Sequence, residues 1–233
     1  MLIYPSILEP TVDDLFTYLQ TLFPVFNHFQ IDIADGKFVQ SKTVQIEEII
    51  KSIQNSDFKT ENKTFEFHLM VKDYENELKK LEKLKERVRI QLVLIHVEAL
   101  QKIQAISSNS QITHNPQSTN HSSFELGLAL NPDTSIESHW PIIQQHTTVQ
   151  LMTVHPGQQG SPFVPEVLDK ITILREKGFK GEIILDGAMN DKTLPIILSK
   201  KYWPDAICPG SYFKHNPKQQ LEKLSKTIID YTS

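Results

Sequence analysis

The sequence has little of what a disulfide-bonded, membrane-spanning or nucleic-acid-binding protein needs. Cys208 is the only cysteine among 233 residues, so no disulfide forms within the chain, and a reducing compartment fits this usage. No apolar run reaches the roughly 18 residues that cross a bilayer. Pro5 and Glu9 interrupt the apolar start before a signal-peptide core could form. The net charge of -4 argues against non-specific binding to nucleic acid. We expect a cytoplasmic protein with neither nucleic-acid nor membrane partners.

Short apolar runs with strand character alternate with helical patterns along the chain. Thr11 and Asp14 are typical of a capped helix start, and the apolar residues that follow fall on one helical face, namely Val12, Leu15, Phe16, Leu19 and Leu22. Phe65 to Val71 is typical of a buried strand, as is Leu92 to Glu98, after which we expect a short helix near residues 100–108. Eight such strand–helix pairs predict a parallel sheet with right-handed crossovers. Eight units in about 230 residues favour an α/β fold of the closed (β/α)8 TIM-barrel type. An open doubly wound sheet, which would leave two edges, is the alternative. We see no domain boundary and expect one domain over residues 1–233.

One polar stretch, residues 107–123, interrupts the alternation. It contains almost no large apolar side chain and is typical of a surface loop. In a barrel, a loop between a helix and the next strand lies on the face opposite the active site. We therefore expect no catalytic role for its two histidines, His114 and His121.

Two carboxylates and one imidazole stand at strand ends, where barrel enzymes carry their catalytic groups. Asp32 ends the second strand run and Asp186 the seventh, which suits proton removal on one face of a substrate and delivery on the other. The alternative is that each aspartate caps a turn. His68, in the third run, would complete a divalent metal site of mixed nitrogen and oxygen ligands. His96 and His155 also end strands and are weaker candidates.

Glycines follow the sixth, seventh and eighth strand runs. They are Gly157 and Gly160, then Gly187, then Gly210 beside Ser211. Backbone N–H groups in such loops are a common way for barrels to bind phosphate. The pattern predicts a phosphate site at this side of the barrel mouth.

Several segments together resemble the ribulose-phosphate 3-epimerase family. They run in order over almost the whole chain, and they are PSIL, IDIADGKFV, FHLMV, IHVE, LNPDT, LMTVHPGQQGSPFVPEVLDKI, ILDG and PGSYF. The resemblance implies a (β/α)8 barrel of the ribulose-phosphate-binding type. It implies an isomerase that interconverts D-ribulose 5-phosphate and D-xylulose 5-phosphate by inverting C3 through an enediolate, as part of the pentose phosphate pathway.

The resemblance also implies roles for individual residues. Asp32 and Asp186 match the two acid/base residues. The family's divalent ion (Zn, Mn, Fe or Mg) is held by two histidines and two aspartates, of which Asp32, His68 and Asp186 match three. Residues that match the family's substrate contacts are Ser6, Leu8, His68, Met70, Met152, Gly157, Gln158, Gln159, Gly160, Gly187, Ala188, Gly210 and Ser211. A phosphorylated ketose is the implied partner, and a homo-oligomer is expected.

Four positions depart from the family pattern. Gln30 stands where the first metal histidine is usual, and His28 is no obvious substitute because it lies one pleat repeat, roughly 6–7 Å, further back. Ala34 replaces a methionine, Ala188 a glycine, and His155 an asparagine. Gln30 could still offer its amide oxygen to the ion as a fourth ligand, but a neutral amide is a poorer zinc ligand than imidazole. We therefore expect weaker metal binding and a shift towards harder ions.

These departures leave two alternatives open beside a working epimerase. One is a catalytically impaired homologue that still binds a phosphosugar. The other is an epimerase of a different ketose phosphate, such as allulose 6-phosphate, because the smaller Ala34 would leave room for a longer sugar.

Overall fold

The computed structural model describes residues 1–54, 60–104, 124–156 and 160–232. In these ranges nine strand segments alternate with eight helices. The strands are β1 (Leu2–Ile3), β2 (Ser6–Ile7), β3 (His28–Ala34), β4 (Thr64–Met70), β5 (Arg89–His96), β6 (Glu125–Leu130), β7 (Thr148–Met152), β8 (Glu182–Asp186) and β9 (Ala206–Cys208). The helices are α1 (Val12–Leu22), α2 (Ile46–Gln54), α3 (Tyr74–Leu84), α4 (Val97–Gln104), α5 (Ile136–Ile143), α6 (Leu168–Glu176), α7 (Leu194–Leu198) and α8 (Pro217–Thr232).

The parallel strands close into a barrel. Their order is β1-β9-β8-β7-β6-β5-β4-β3-β2, and β1 and β2 are two parts of one strand separated by Tyr4 and Pro5. On one side of this strand the Tyr4 N–H donates to Ile207 (3.0 Å). On its other side the Gln30 N–H donates to the Pro5 carbonyl (3.0 Å). The first strand therefore joins the last strand to the second, which confirms the predicted TIM barrel and excludes the open sheet.

Helix α1 shows how the sequence pattern produces the outer layer. The Thr11 side chain accepts a hydrogen bond from the Asp14 N–H (3.2 Å) and so satisfies one free donor of the first turn, a contribution of about 1 kcal/mol. Leu15, Leu19 and Leu22 recur at helical spacing and are buried against the sheet. The predicted capped helix is confirmed.

Strand alternation decides which side chains point into the barrel. Successive side chains of a strand face opposite sides of the sheet. In β3, Phe29 and Ile31 pack into the main core against the helices, so Gln30 and Asp32 face the barrel interior. A smaller apolar cluster fills the interior and consists of Leu92, Leu94, Ala129, Ile184, Ala206 and Cys208. The polar side chains of β3, Gln30 and Asp32, therefore lie next to this apolar cluster in the barrel interior.

One sequence expectation needs correction, and another concerns residues outside the described ranges. The helix expected near residues 100–108 begins earlier, at Val97, so Glu98 belongs to the first turn of α4 rather than to the preceding strand. The polar stretch 107–123, with His114 and His121, lies outside the described residues. None of the described helices combines the length and the apolar character that a bilayer-crossing segment requires.

Candidate active site

Asp32, His68 and Asp186 come together at the carboxyl ends of β3, β4 and β8. The parallel register places Asp32 directly beside His68 on the neighbouring strand. One ligand atom from each of the three side chains lies within 4.8 Å of the other two, and all three residues are buried. The structure thus brings together the three side chains that the sequence singled out on separate strands.

The three groups of this site control one another's protonation. His68 Nδ1 lies 3.0 Å from Asp32 Oδ1 and 3.7 Å from Asp186 Oδ2. Burial alone would lower the pKa of His68, but the hydrogen bond to Asp32 and the charges of both aspartates outweigh burial and raise that pKa. Burial and the neighbouring charge of Asp32 raise the pKa of Asp186 to about 7. Asp186 can therefore both hold and release a proton near neutral pH.

A second polar layer lies behind His68. The His68 and His96 Nε2 atoms are 2.9 Å apart, and His96 Nδ1 lies 3.1 Å from Glu98 Oε2. Glu98 also accepts hydrogen bonds from the Asn131 N–H (2.9 Å) and the Thr134 hydroxyl. Burial lowers the pKa of His96 to about 4, so His96 is neutral at physiological pH. His96, a weaker candidate ligand in the sequence, here supports His68 from behind.

Two buried glutamines lie beneath the aspartates. Gln30 Nε2 donates to Asp32 Oδ1 (3.2 Å), and the Cys208 thiol donates to Gln30 Oε1 (3.4 Å). Gln150 Nε2 donates to Asp186 Oδ2 (3.4 Å). Neither Gln150 nor Glu98 was predicted from the sequence to belong to the site. The signal for Gln150 was a polar residue two positions before Met152 in an apolar strand, which places both on the same face.

A cavity of about 460 Å³ opens above the two aspartates. Its lining includes most residues that match the family's substrate contacts, namely Ser6, Leu8, Met70, Met152, Gly160, Gly187, Ala188, Gly210 and Ser211. Gly157, Gln158 and Gln159 lie outside the described residues. Ala34 is fully buried and is not part of the lining, so the structure gives no support to a pocket enlarged at that position.

The turn after β8 forms one rim of the cavity. Gly187 and Ala188 both have positive φ angles, of 106° and 51°. A Cβ on Gly187 would lie 2.5 Å from a methyl group of Val154, so this position requires glycine. The hydroxyl of Thr193, the residue just before α7, donates a hydrogen bond to the Ala188 carbonyl (2.7 Å). This contact stabilises the conformation of the turn. The backbone at this rim is thereby fixed close to the cavity.

The donor set fits a divalent ion held by three side chains. Two carboxylates and one imidazole leave coordination positions open for water or substrate, as catalytic sites do. Gln30 offers no oxygen to this group, because its amide nitrogen faces Asp32 and its oxygen accepts from Cys208. His28 Nε2 lies 2.6 Å from the carboxylate oxygen Oε1 of Glu66, within hydrogen-bond distance. His28 is not part of the three-residue group.

The His155 side chain, which replaces the usual asparagine, is largely exposed. Its Nδ1 lies 3.8 Å from a carboxylate oxygen of Asp133. It lines a second hollow beside Glu98, Asn131 and Thr134 rather than the cavity above the aspartates. The structure therefore does not bring His155 into the Asp32–His68–Asp186 group.

Fold and site together define a TIM-barrel protein whose polar, metal-competent groups stand at the carboxyl ends of the strands. The sequence profile described as the ribulose-phosphate 3 epimerase family matches residues 2–212. The chain belongs to that family, which confirms the resemblance found in the sequence.

Named relatives agree with this assignment, and a solved structure has a similar fold. The chain is 29% identical over 201 residues to a ribulose-phosphate 3-epimerase from Schizosaccharomyces pombe, covering 85% of this chain and 81% of the relative. It is 28% identical over 209 residues to one from Methanocaldococcus jannaschii, covering 87% and 80%. The fold is similar to that of 3-hexulose-6-phosphate synthase from Salmonella typhimurium, with a TM-score of 0.60, 10% identity, and coverage of 99% and 100%. That likeness concerns the fold alone.

Proposed function

We infer that the protein is a ribulose-phosphate 3-epimerase, which interconverts D-ribulose 5-phosphate and D-xylulose 5-phosphate. One observation carries the proposal: Asp32 and Asp186, from strands on different sides of the barrel, line the same cavity and share His68 between them. Inversion at a carbon needs a proton acceptor on one face and a proton donor on the other. Family membership and the names of the relatives support the same reaction.

The proposed reaction exchanges protons between C3 of the sugar and the two carboxylates. One aspartate takes the C3 proton, and the electron pair of the C–H bond moves into the enediolate, whose negative charge lies on the C2 oxygen. The other aspartate, carrying a proton, then delivers it to C3 from the opposite face. Burial and the neighbouring charge of Asp32 raise the pKa of Asp186, the direction that favours a group able to hold a proton and then release it.

Asp32, His68 and Asp186 would hold the divalent ion of this family. When bound, such an ion supplies Lewis-acid stabilisation of the developing negative charge on oxygen. His68 Nδ1 faces both carboxylates, so it is the imidazole atom that would bind the ion. Leu8, Met70 and Met152 line the cavity with apolar side chains, which limits the access of water to the enediolate.

The phosphate end of the sugar is proposed to bind at the glycine-bearing rim. Gly160, the Gly187–Ala188 turn and the Gly210–Ser211 pair all line the cavity on the side of the last strands. Backbone N–H groups in such turns bind phosphate without a cationic side chain.

The test is to follow D-ribulose 5-phosphate in D2O by NMR, with protein that has been loaded in turn with Zn²⁺, Mn²⁺, Fe²⁺ or Mg²⁺. We expect xylulose 5-phosphate to appear with deuterium at C3. If neither product nor deuterium exchange is detected with any of the four ions, that result would contradict the proposal. It would favour a phosphosugar-binding homologue instead. Allulose 6-phosphate is the comparison substrate, and faster turnover of it would reassign the sugar.

A further inference from the structure

The buried amide of Gln30 is oriented by a partner at each end. Its Nε2 lies 3.2 Å from Asp32 Oδ1, and its Oε1 lies 3.4 Å from the Cys208 sulfur. An ionised carboxylate only accepts hydrogen bonds, whereas a thiol is the donor available to the other end. Rotating the amide by half a turn would place its oxygen against the carboxylate. Both contacts therefore favour the same orientation.

The Gln30 side chain is fully buried inside the barrel, so bulk water does not compete for its amide. Asp32 Oδ1 also receives His68 Nδ1 at 3.0 Å. Two nitrogen atoms thus converge on one oxygen of the Asp32 carboxylate. Gln150 repeats the arrangement under the second aspartate, with Nε2 3.4 Å from Asp186 Oδ2 and no cysteine at its far end.

We propose that Gln30 is a positioning residue rather than a metal ligand: with Cys208 fixing its amide, it donates to Asp32, so an ion is held by Asp32, His68 and Asp186 only. This inference rests on the proposed metal site. It does not depend on turnover, since the arrangement concerns how the site binds an ion.

The two roles of Gln30 predict losses of metal affinity that differ in size when the amide is removed. The variant Gln30→Met keeps the volume of the buried side chain and deletes both polar atoms. Removing a residue that only orients a metal-binding carboxylate costs about 10–100-fold in affinity, and this loss should match the loss caused by removing Gln150, which donates to Asp186 in the same way. Removing a true ligand would cost more, as much as the removal of His68.

Calorimetric titration of the metal-stripped protein with Mn²⁺ and Zn²⁺ measures this difference. Gln150→Met is the matched control, and we expect Gln30→Met to resemble it. His68→Asn, which removes a ligand, supplies the scale for a real loss. A fall in affinity for Gln30→Met as large as that for His68→Asn would overturn the proposal. Failure of all proteins, wild type included, to bind either ion would overturn it as well.

A second measurement tests the contact between Cys208 and Gln30 directly and requires no metal ion. Because Cys208 is the only cysteine, the S–H stretching band in a Raman spectrum reports this thiol alone. A hydrogen-bonded S–H vibrates at lower frequency than a thiol in an apolar solvent. We expect the wild-type band to be shifted down and the Gln30→Met band to return upwards. A wild-type band at the position of the free thiol would contradict the role assigned to Cys208.

Discussion

His68 and His96 share a single hydrogen bond between their Nε2 atoms, which lie 2.9 Å apart. Only one of the two rings can donate. Glu98 accepts from His96 Nδ1, so His96 Nε2 carries a lone pair and His68 Nε2 carries the proton. This arrangement leaves His68 Nδ1 directed at Asp32 and Asp186. The Glu98–His96 pair therefore determines which nitrogen of His68 faces the site.

Removal of this support should weaken metal binding although no ligand is lost. We expect His96→Asn and Glu98→Gln each to lower the affinity for Mn²⁺ or Zn²⁺ by about 10–100-fold, the usual cost of losing the partner of a metal-bound histidine. Calorimetric titration measures the change, and His215→Asn, at an exposed histidine, is the control. Wild-type affinity in both variants would mean that His68 holds its orientation without them.

Glu98 should also give the protein an acid-sensitive part of its stability. Burial would raise the pKa of Glu98, but other contacts outweigh burial and lower that pKa from 4.5 to about 2. These are the hydrogen bond from His96, the charge that His96 carries below its own pKa of about 4, and the bonds from Thr134 and Asn131. A carboxylate with a lowered pKa stabilises the folded state above its unfolded pKa, and this contribution is lost as the pH falls towards the folded pKa.

The variant Glu98→Gln tests this, because glutamine does not titrate. We expect the wild type to be more stable than the variant by a constant amount above pH 5, and the difference to shrink from pH 4.5 downwards. Urea unfolding at a series of pH values gives the two free energies of unfolding. A difference that stays the same down to pH 3 would show that the carboxylate charge contributes nothing to stability.

Much of the fold was predictable because apolar residues recur at different spacings in barrel strands and in helices. The Thr11 cap and the apolar stripe of α1 are local signals, and both were confirmed. The start of α4 was placed too late because Val97 and Glu98 continue an apolar strand without a turn residue between them. The division of the first strand at Tyr4 and Pro5 depends on pairing with two different neighbours, which no local pattern contains.

The candidate site was partly predictable for a related reason. Asp32, His68 and Asp186 stand at strand ends, and strand ends meet at one rim of a barrel. Gln150 and Glu98 escaped notice because their importance depends on which atoms face them. A glutamine inside an apolar strand becomes informative only when Asp186 is known to lie above it. The sequence shows which residues are polar, whereas the contacts depend on the register of neighbouring strands.

Each aspartate should be indispensable for epimerisation but not for every proton exchange. We expect Asp32→Asn and Asp186→Asn each to lower kcat by about 10²–10⁴-fold, the usual contribution of a general acid or base. Since each variant keeps one carboxylate, it should still exchange the C3 proton of one epimer with solvent deuterium, and the two variants should differ in which epimer they exchange. Asp13→Asn, at an exposed position of α1, is the control. Exchange of both epimers by one variant would contradict the two-base scheme.

The turn that is proposed to bind phosphate offers a matched pair of opposite substitutions. Ala188 has a φ of 51°, which costs a residue with a Cβ about 1–2 kcal/mol, whereas glycine loses about 0.4–1 kcal/mol more backbone entropy on folding. Ala188→Gly should therefore stabilise the protein by about 0.5–1 kcal/mol and lower KM, because the methyl group leaves the rim. Gly187→Ala should destabilise it by about 1–3 kcal/mol, since the new Cβ meets Val154 at 2.5 Å. Urea unfolding measures both changes, and a destabilised Ala188→Gly beside an unaffected Gly187→Ala would show that the backbone of this turn is not strained as the structure has it.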